Sequence, residues 1–245
     1  MYYRDYRINS FDVDKQGNLT IPALFGYLQD IMLRNANSYG AGSEYHQAHD
    51  LVWVLVDYEI NIYKLPHSED ILKFGTIPYS FKRFYGFRKY KVLDKNNNIV
   101  AEGHSKFILI NFKTKEIVSP SSEILALFTD AIKEPTSIKF VKHFKNASSL
   151  TLSDTVKVKN SYIDINNHMN NVYSILLAYN EFTEYELEHY ALCTVRVTYK
   201  KEAFLNDELS LYKQFSDDGA YFQIKRNDDL LSEVSFRIKK IKVDF

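Results

Sequence analysis

The chain has one cysteine, Cys193, in 245 residues, which excludes an internal disulfide and fits a reducing compartment. Charge of neither sign is in excess. Lys plus Arg number 31 and Asp plus Glu number 31, so no global field draws the protein to nucleic acid or to a membrane, and a charged partner must be met by a local patch. No run of about 18 apolar residues occurs. The segment Met1-Tyr2-Tyr3-Arg4-Asp5-Tyr6-Arg7 places charges where a signal peptide has its apolar stretch. These absences lead to the expectation of a soluble, cytoplasmic protein. Glycine (8) and proline (5) are also scarce, which argues against long irregular connections.

In their place stand 19 tyrosines and 17 phenylalanines, a bias toward sheet with one apolar face. Leu24, Phe25, Leu28, Ile31 and Met32 recur near helical spacing and predict a helix over 21–37. Strand-like runs follow at 54–63, 71–77, 83–93, 99–111 and 116–118, with a polar hairpin turn at 94–98. A short helix is expected over 122–132, and the Lys- and Ser-containing passage around Pro135 reads as a linker. Beyond it the order repeats: a strand over 151–160, a helix over 171–188, and strands over 194–201, 208–216, 220–226 and 231–241.

The two halves can be overlaid, with Tyr58–Tyr63 falling on Val195–Lys200, Asp70 on Asp207, and Asp12–Gln16 on Asp164–His168. In that register only the second copy holds an imidazole. A helix followed by antiparallel strands, twice over, predicts an α+β chain of two tandem hotdog domains, each a long helix wrapped by antiparallel sheet. Their sheets are expected to join side by side, which relieves unpaired edges. The expected boundaries are an N-terminal domain over 1–134, a linker over 135–149 and a C-terminal domain over 150–245.

The stretch richest in chemistry is Asp164-Ile165-Asn166-Asn167-His168-Met169-Asn170-Asn171. Asp164, Asn166 and His168 recur at every second position, so an extended segment would project all three from one face. The competing reading is an Asn-rich turn that caps the following helix.

Together with Trp53-Val54-Leu55-Val56, Ile60-Asn61-Ile62-Tyr63-Lys64-Leu65-Pro66 and Asp70, this octapeptide resembles the acyl-[acyl carrier protein] thioesterases, double-hotdog enzymes of plants and bacteria that hydrolyse fatty acyl chains off their carrier. Thr198-Tyr199-Lys200-Lys201-Glu202-Ala203 looks like the family segment that supplies an acidic residue to the site. Where the family often has cysteine, this chain has Ala203, so a thiol nucleophile is excluded there. The resemblance implies a catalytic set of Asp164, Asn166, His168 and Glu202, with no metal and no cofactor. It also implies an acyl-binding N-terminal domain, a catalytic C-terminal domain and an acyl carrier protein as partner. Either a monomer or a homodimer is compatible with two fused units.

Thioester hydrolysis needs an activated water or nucleophile, donors for an oxyanion and an acid for the leaving thiol. His168 suits the base and later acid, because imidazole titrates near neutrality. Glu202 would polarise the water or orient His168, Asn166 would position the carbonyl or the water, and Asp164 would hold Asn166 or the helix-start amides. The backbone N–H groups near Asn170 and Asn171 offer a place for the oxyanion. The bland readings are a capping histidine at His168 and, at Glu202, a carboxylate paired to Lys200 or Lys201. An acyl-coenzyme A thioesterase and a non-catalytic acyl-thioester-binding hotdog are the alternative functions. His46 and His49 lack a third ligand at metal spacing, and Gly42-Ser43-Glu44 lacks the spacing of a nucleophile elbow. The basic segment Phe81–Lys91 is expected to send aromatics to one strand face and cations largely to the other. It competes with Lys139, Lys142 and Lys145, and with Lys239, Lys240 and Lys242, as the patch that meets an acidic carrier.

Overall fold

A computed structural model of the chain describes residues 1–128, 138–145 and 149–241. The end of the expected 122–132 helix, Pro135 and Lys242 lie outside the described residues, as does the side chain of His46. The chain forms two compact units, Met1–Phe140 and Val141–Phe245.

The first unit contains β1 (Tyr2–Arg7), α1 (Ile21–Ser38), α2 (Ser43–His49), β2 (Leu51–Ile62), β3 (Ile71–Lys82), β4 (Tyr85–Leu93), β5 (Ile99–Asn111) and α3 (Ser122–Ala126). Its strands make an antiparallel sheet in the order β1-β3-β4-β5-β2. Helix α1 starts where Thr20 Oγ1 accepts from Ala23 N at 3.4 Å and Pro22 occupies the first turn, which has no use for its missing N–H. Leu24, Phe25, Leu28 and Ile31 form its buried stripe, each contributing about 1.5–3 kcal/mol by leaving water. That stripe was legible at the sequence level, and α1 differs from the expected helix by one residue at its end.

Two elements were not expected. Strand β1 lacks apolar alternation and is mostly exposed; it forms through main-chain pairing, with Tyr2 opposite Thr76 and Arg7 opposite Ile71. Helix α2 lies in what reads as a polar loop. The expected strand at 116–118 reduces to a single bridge between Ile110 and Ile117. The 94–98 turn forms as expected: Asp94 Oδ1 accepts from the backbone N–H groups of Asn96 (2.8 Å) and Asn98 (2.9 Å).

The second unit holds β6 (Thr151–Lys157), a 3-10 turn (Asn160–Tyr162), α4 (Val172–Asn180), α5 (Glu184–His189), β7 (Tyr190–Tyr199), β8 (Glu208–Ser216), β9 (Gly219–Arg226) and β10 (Asp229–Lys240). Its antiparallel sheet has the order β7-β10-β9-β8-β6. Each unit is thus a hotdog, a helix laid on an antiparallel sheet. The single helix expected over 171–188 is broken into α4 and α5. Thr183 and Glu186 form a reciprocal capping box that restarts the chain as α5. Between the helices Phe182 is buried, edge-on to Phe215 and Phe236. The Thr-x-x-Glu signal was present in the sequence and was overridden by the apolar periodicity on either side.

The basic segment Phe81–Lys91 does not sort as expected. Arg88 is buried beneath α1, where Nη1 donates to Asn35 Oδ1 at 2.6 Å and to Thr76 Oγ1 at 3.1 Å. Lys89 Nζ instead stands over the Tyr79 ring, 3.4 Å from its centroid. Cations therefore occupy both faces of β4, because the α1 amide offers the guanidinium an acceptor.

Candidate active site

The site is built on the second unit, by a turn that is anchored in the core at both ends. Met169 N donates to Ala203 O at 2.8 Å, and Asn170 N donates to Tyr162 O at 2.9 Å. Met169 and Ala203 both belong to a buried cluster with Val158, Leu177, Leu209, Leu211, Ile224 and Leu231. Since His168 precedes one anchor and Glu202 precedes the other, core packing fixes the backbone of both.

The octapeptide is a tight turn rather than an extended segment. Asp164 N donates to His168 O at 3.0 Å, Asn167 N donates to Asp164 O at 3.0 Å, and Asp164 Oδ1 accepts from Asn166 N at 2.8 Å. Asn167 adopts φ 62°, a left-handed conformation that asparagine tolerates better than most residues. The turn folds Asp164 back onto His168, which alternation along a strand would not do. His168 Nδ1 lies 3.3 Å from Met169 O and 3.9 Å from Asp164 Oδ1, and its Nε2 lies 3.7 Å from Glu202 Oε1. The two carboxylate distances exceed hydrogen-bond length, leaving room for a small group between Nε2 and Glu202. The Glu202 side chain is 50% exposed against 19% for His168, so the carboxylate stands at the solvent side of the imidazole.

Three of the four expected residues, Asp164, His168 and Glu202, are therefore brought together. Asn166 is exposed at the tip of the turn and is tied to Asp164 through its backbone N–H, not its amide. The reading of Glu202 as a partner of the adjacent lysines does not hold: Lys200 Nζ bonds Glu233 Oε2 at 3.2 Å and Lys201 Nζ bonds Asp229 Oδ1 at 2.5 Å. The helix-start amides are also less available than expected. Val172 N donates to Asn170 Oδ1 (3.0 Å), Tyr173 N to Asn170 O (2.9 Å) and Ser174 N to Asn171 O (3.3 Å).

Supporting residues had gone unread. Tyr199 donates its hydroxyl to Asn171 O at 3.0 Å, pinning the start of α4, and burial pushes its pKa far above the ordinary value. Arg226 Nη1 braces the 202–207 loop through Asp207 Oδ2 at 2.6 Å and Glu202 O at 3.5 Å. The repeat had singled out Asp207, but nothing in sequence pairs it with Arg226. Lys145, one of the candidate docking lysines, bonds Glu233 Oε1 at 2.8 Å. Among the described residues no three His, Cys, Asp or Glu side chains gather as a metal site.

The first unit carries the same turn without the imidazole. Asp14 N donates to Asn18 O (2.8 Å), Gly17 N to Asp14 O (2.9 Å), Gln16 N to Asp14 Oδ1 (2.9 Å) and Leu19 N to Pro66 O (2.7 Å). Gly17, at φ 81°, occupies the place of Asn167. Asp14, not Asp12, thus corresponds to Asp164, and His168 corresponds to Asn18. The overlay of Asp70 on Asp207 holds: each carboxylate accepts from the N–H three residues before it, of His67 (2.9 Å) and Phe204 (2.8 Å).

Comparison with known proteins matches residues 1–128 to the acyl-ACP thioesterase N-terminal domain and residues 145–245 to the acyl-ACP thioesterase C-terminal domain. The chain belongs to the acyl-ACP thioesterase family. A relative within it, the chloroplastic oleoyl-acyl carrier protein thioesterase 1 of Arabidopsis thaliana, is 20% identical over 224 residues, covering 84% of this chain and 61% of that protein. The chain thus spans about three fifths of the length of that curated relative. A crystal structure of an acyl-ACP thioesterase from Bacteroides thetaiotaomicron superposes with a TM-score of 0.86 at 22% identity, covering 97% of each chain. The 12:0-ACP thioesterase of Umbellularia californica gives 0.87 at 17% identity, covering 98% of this chain and 97% of that one. At such identities the structural likeness speaks to the double-hotdog fold. None of the described helices is long and apolar enough to cross a membrane.

Proposed function

We propose that the protein hydrolyses fatty acyl thioesters of acyl carrier protein, releasing free fatty acid and the carrier thiol in fatty acid synthesis. The observation that carries this reading is His168 set between Asp164 and Glu202 on a core-anchored turn, in a chain of the acyl-ACP thioesterase family. Nδ1, turned to Met169 O and Asp164, holds the ring's proton there and leaves Nε2 as the base. A water between Nε2 and Glu202 loses a proton to His168 as its oxygen attacks the thioester carbon. The C–S bond then breaks, and the imidazolium returns the proton to the leaving thiolate. Asn166, at the exposed tip, is the candidate donor to the carbonyl oxygen; Asp164 keeps that tip in place through the Asn166 N–H. The amino-terminal unit is the candidate acyl-binding half. A cytoplasmic setting is supported by the lone Cys193.

The test is thiol release by the purified full chain on acyl-carrier and acyl-coenzyme A substrates. His168→Ala should lower turnover by about 10²–10⁴-fold, the usual range for a general base, and Glu202→Ala should also lower it. Full activity in both variants would sink the site. Absence of turnover on every thioester by the wild type would leave an acyl-binding protein without catalysis.

A further inference from the structure

The amino-terminal unit buries a cation that the chemistry above does not use. The Arg88 guanidinium is bound only through Nη1, by the neutral acceptors Asn35 Oδ1 and Thr76 Oγ1. Among the described residues its Nε and Nη2 make no hydrogen bond, and no carboxylate is paired with it. The groups around it are the phenols of Tyr39, Tyr58 and Tyr90, and the Tyr90 hydroxyl shares a hydrogen bond with Ser105 Oγ at 3.1 Å. A cation taken out of water without a counter-charge is strongly disfavoured, and burial holds the pKa of this group below its ordinary value.

What surrounds it describes the missing partner. Leu24, Leu28 and Ile31 follow one another along the buried face of α1, and Asn35 continues that face. An apolar stripe thus ends at an amide and a guanidinium. The open Nε–Nη2 edge of an arginine matches the two oxygens of a carboxylate, and phenol hydroxyls can donate to the same oxygens. We propose that Arg88 is the cation of an internal subsite, between α1 and the sheet of this unit, that takes the terminal carboxylate of an aliphatic chain. Such a carboxylate comes from one of two sources: a released fatty acid, or an acyl group that bears a second carboxyl at its far end.

Binding of decanoate and of decanol to the full chain, measured by calorimetry, tests the subsite without any turnover. Decanoate should bind roughly tenfold more tightly than decanol, the gain of one charge-assisted pair. Arg88→Met should erase that ratio and Arg88→Lys should keep part of it. Equal affinities in the wild type, or an unchanged ratio in Arg88→Met, would overturn the proposal. If Arg88→Met does not fold, the wild-type ratio and Arg88→Lys decide. Thiol-release assays then separate the sources. Competitive inhibition by decanoate that weakens in Arg88→Lys assigns the subsite to the released acid, and a preference for ω-carboxylated over methyl-ended acyl thioesters assigns it to the substrate. Neither effect in an active enzyme overturns the subsite. This last arm rests on the thioesterase reading; a chain that hydrolyses nothing would sink that reading, while the decanoate ratio still judges Arg88.

Discussion

Glu233 offers the sharpest test of the forces around the site. It lies on β10, buried, where Lys145 Nζ bonds it at 2.8 Å, Lys200 Nζ bonds it at 3.2 Å and the Tyr221 hydroxyl donates to it. Burial alone would raise its pKa, but Lys145, Tyr221 and Lys200 outweigh burial and hold the carboxyl at about 2 against an ordinary 4.5. At about 1.4 kcal/mol per unit, that difference is about 3 kcal/mol of stability. The folded-state pKa is depressed, so the contribution is complete above the unfolded value and fades as pH falls from 4.5 through about 2. Glu233→Gln keeps the shape and removes the charge; the two lysines, half exposed, return to water. In urea titrations at low salt, wild type and Glu233→Gln should differ by about 3 kcal/mol above about pH 5.5, with the gap closing on acidification. Salt should shrink it, because the lysines are accessible. A gap that stays constant or widens between about pH 6 and pH 3 would refute the reasoning.

Asn167→Val should lower stability by about 1–2 kcal/mol in the same titrations, because a β-branched residue resists the left-handed conformation, whereas Asn167→Gly should be nearly neutral. Thr183→Ala removes half of the capping box and should cost about 1 kcal/mol, with amide hydrogen exchange rising first at 184–189. At Gly103 an added Cβ would lie 2.0 Å from Glu59 O on the neighbouring strand, so Gly103→Ala should fold poorly and melt well below wild type in a thermal scan.

How much was legible follows from which force sets each element. Helix α1 and strands β5 and β8 were readable to within a residue because one apolar face decides them. Strand β1 was not: its side chains are mostly exposed, and apart from Tyr6, which packs on Tyr27 and Phe74, it is held by main-chain pairing to β3, which carries no side-chain pattern. At the site, Asp164 and His168 were readable as residue types. Their approach depends on a left-handed Asn167, which alternation along a strand does not encode. Glu202 came from family likeness alone, since 34 positions of fold separate it from His168 in sequence (202 − 168 = 34) while 3.7 Å separates them in space. Arg88 was misread as a surface cation because nothing local announces that Asn35, more than fifty residues earlier, waits for it across the helix–sheet gap.

The pair of matching turns means that the molecule carries its own blank. Asn18 stands where His168 stands, and Leu65, just before Pro66, stands where Glu202 stands before Ala203. The backbone bonds that shape the turn are the same in both, so the scaffold is indifferent to whether chemistry is mounted on it. The frame is separable from what is mounted on it: the same main-chain bonds hold an imidazole at His168 and an amide at Asn18.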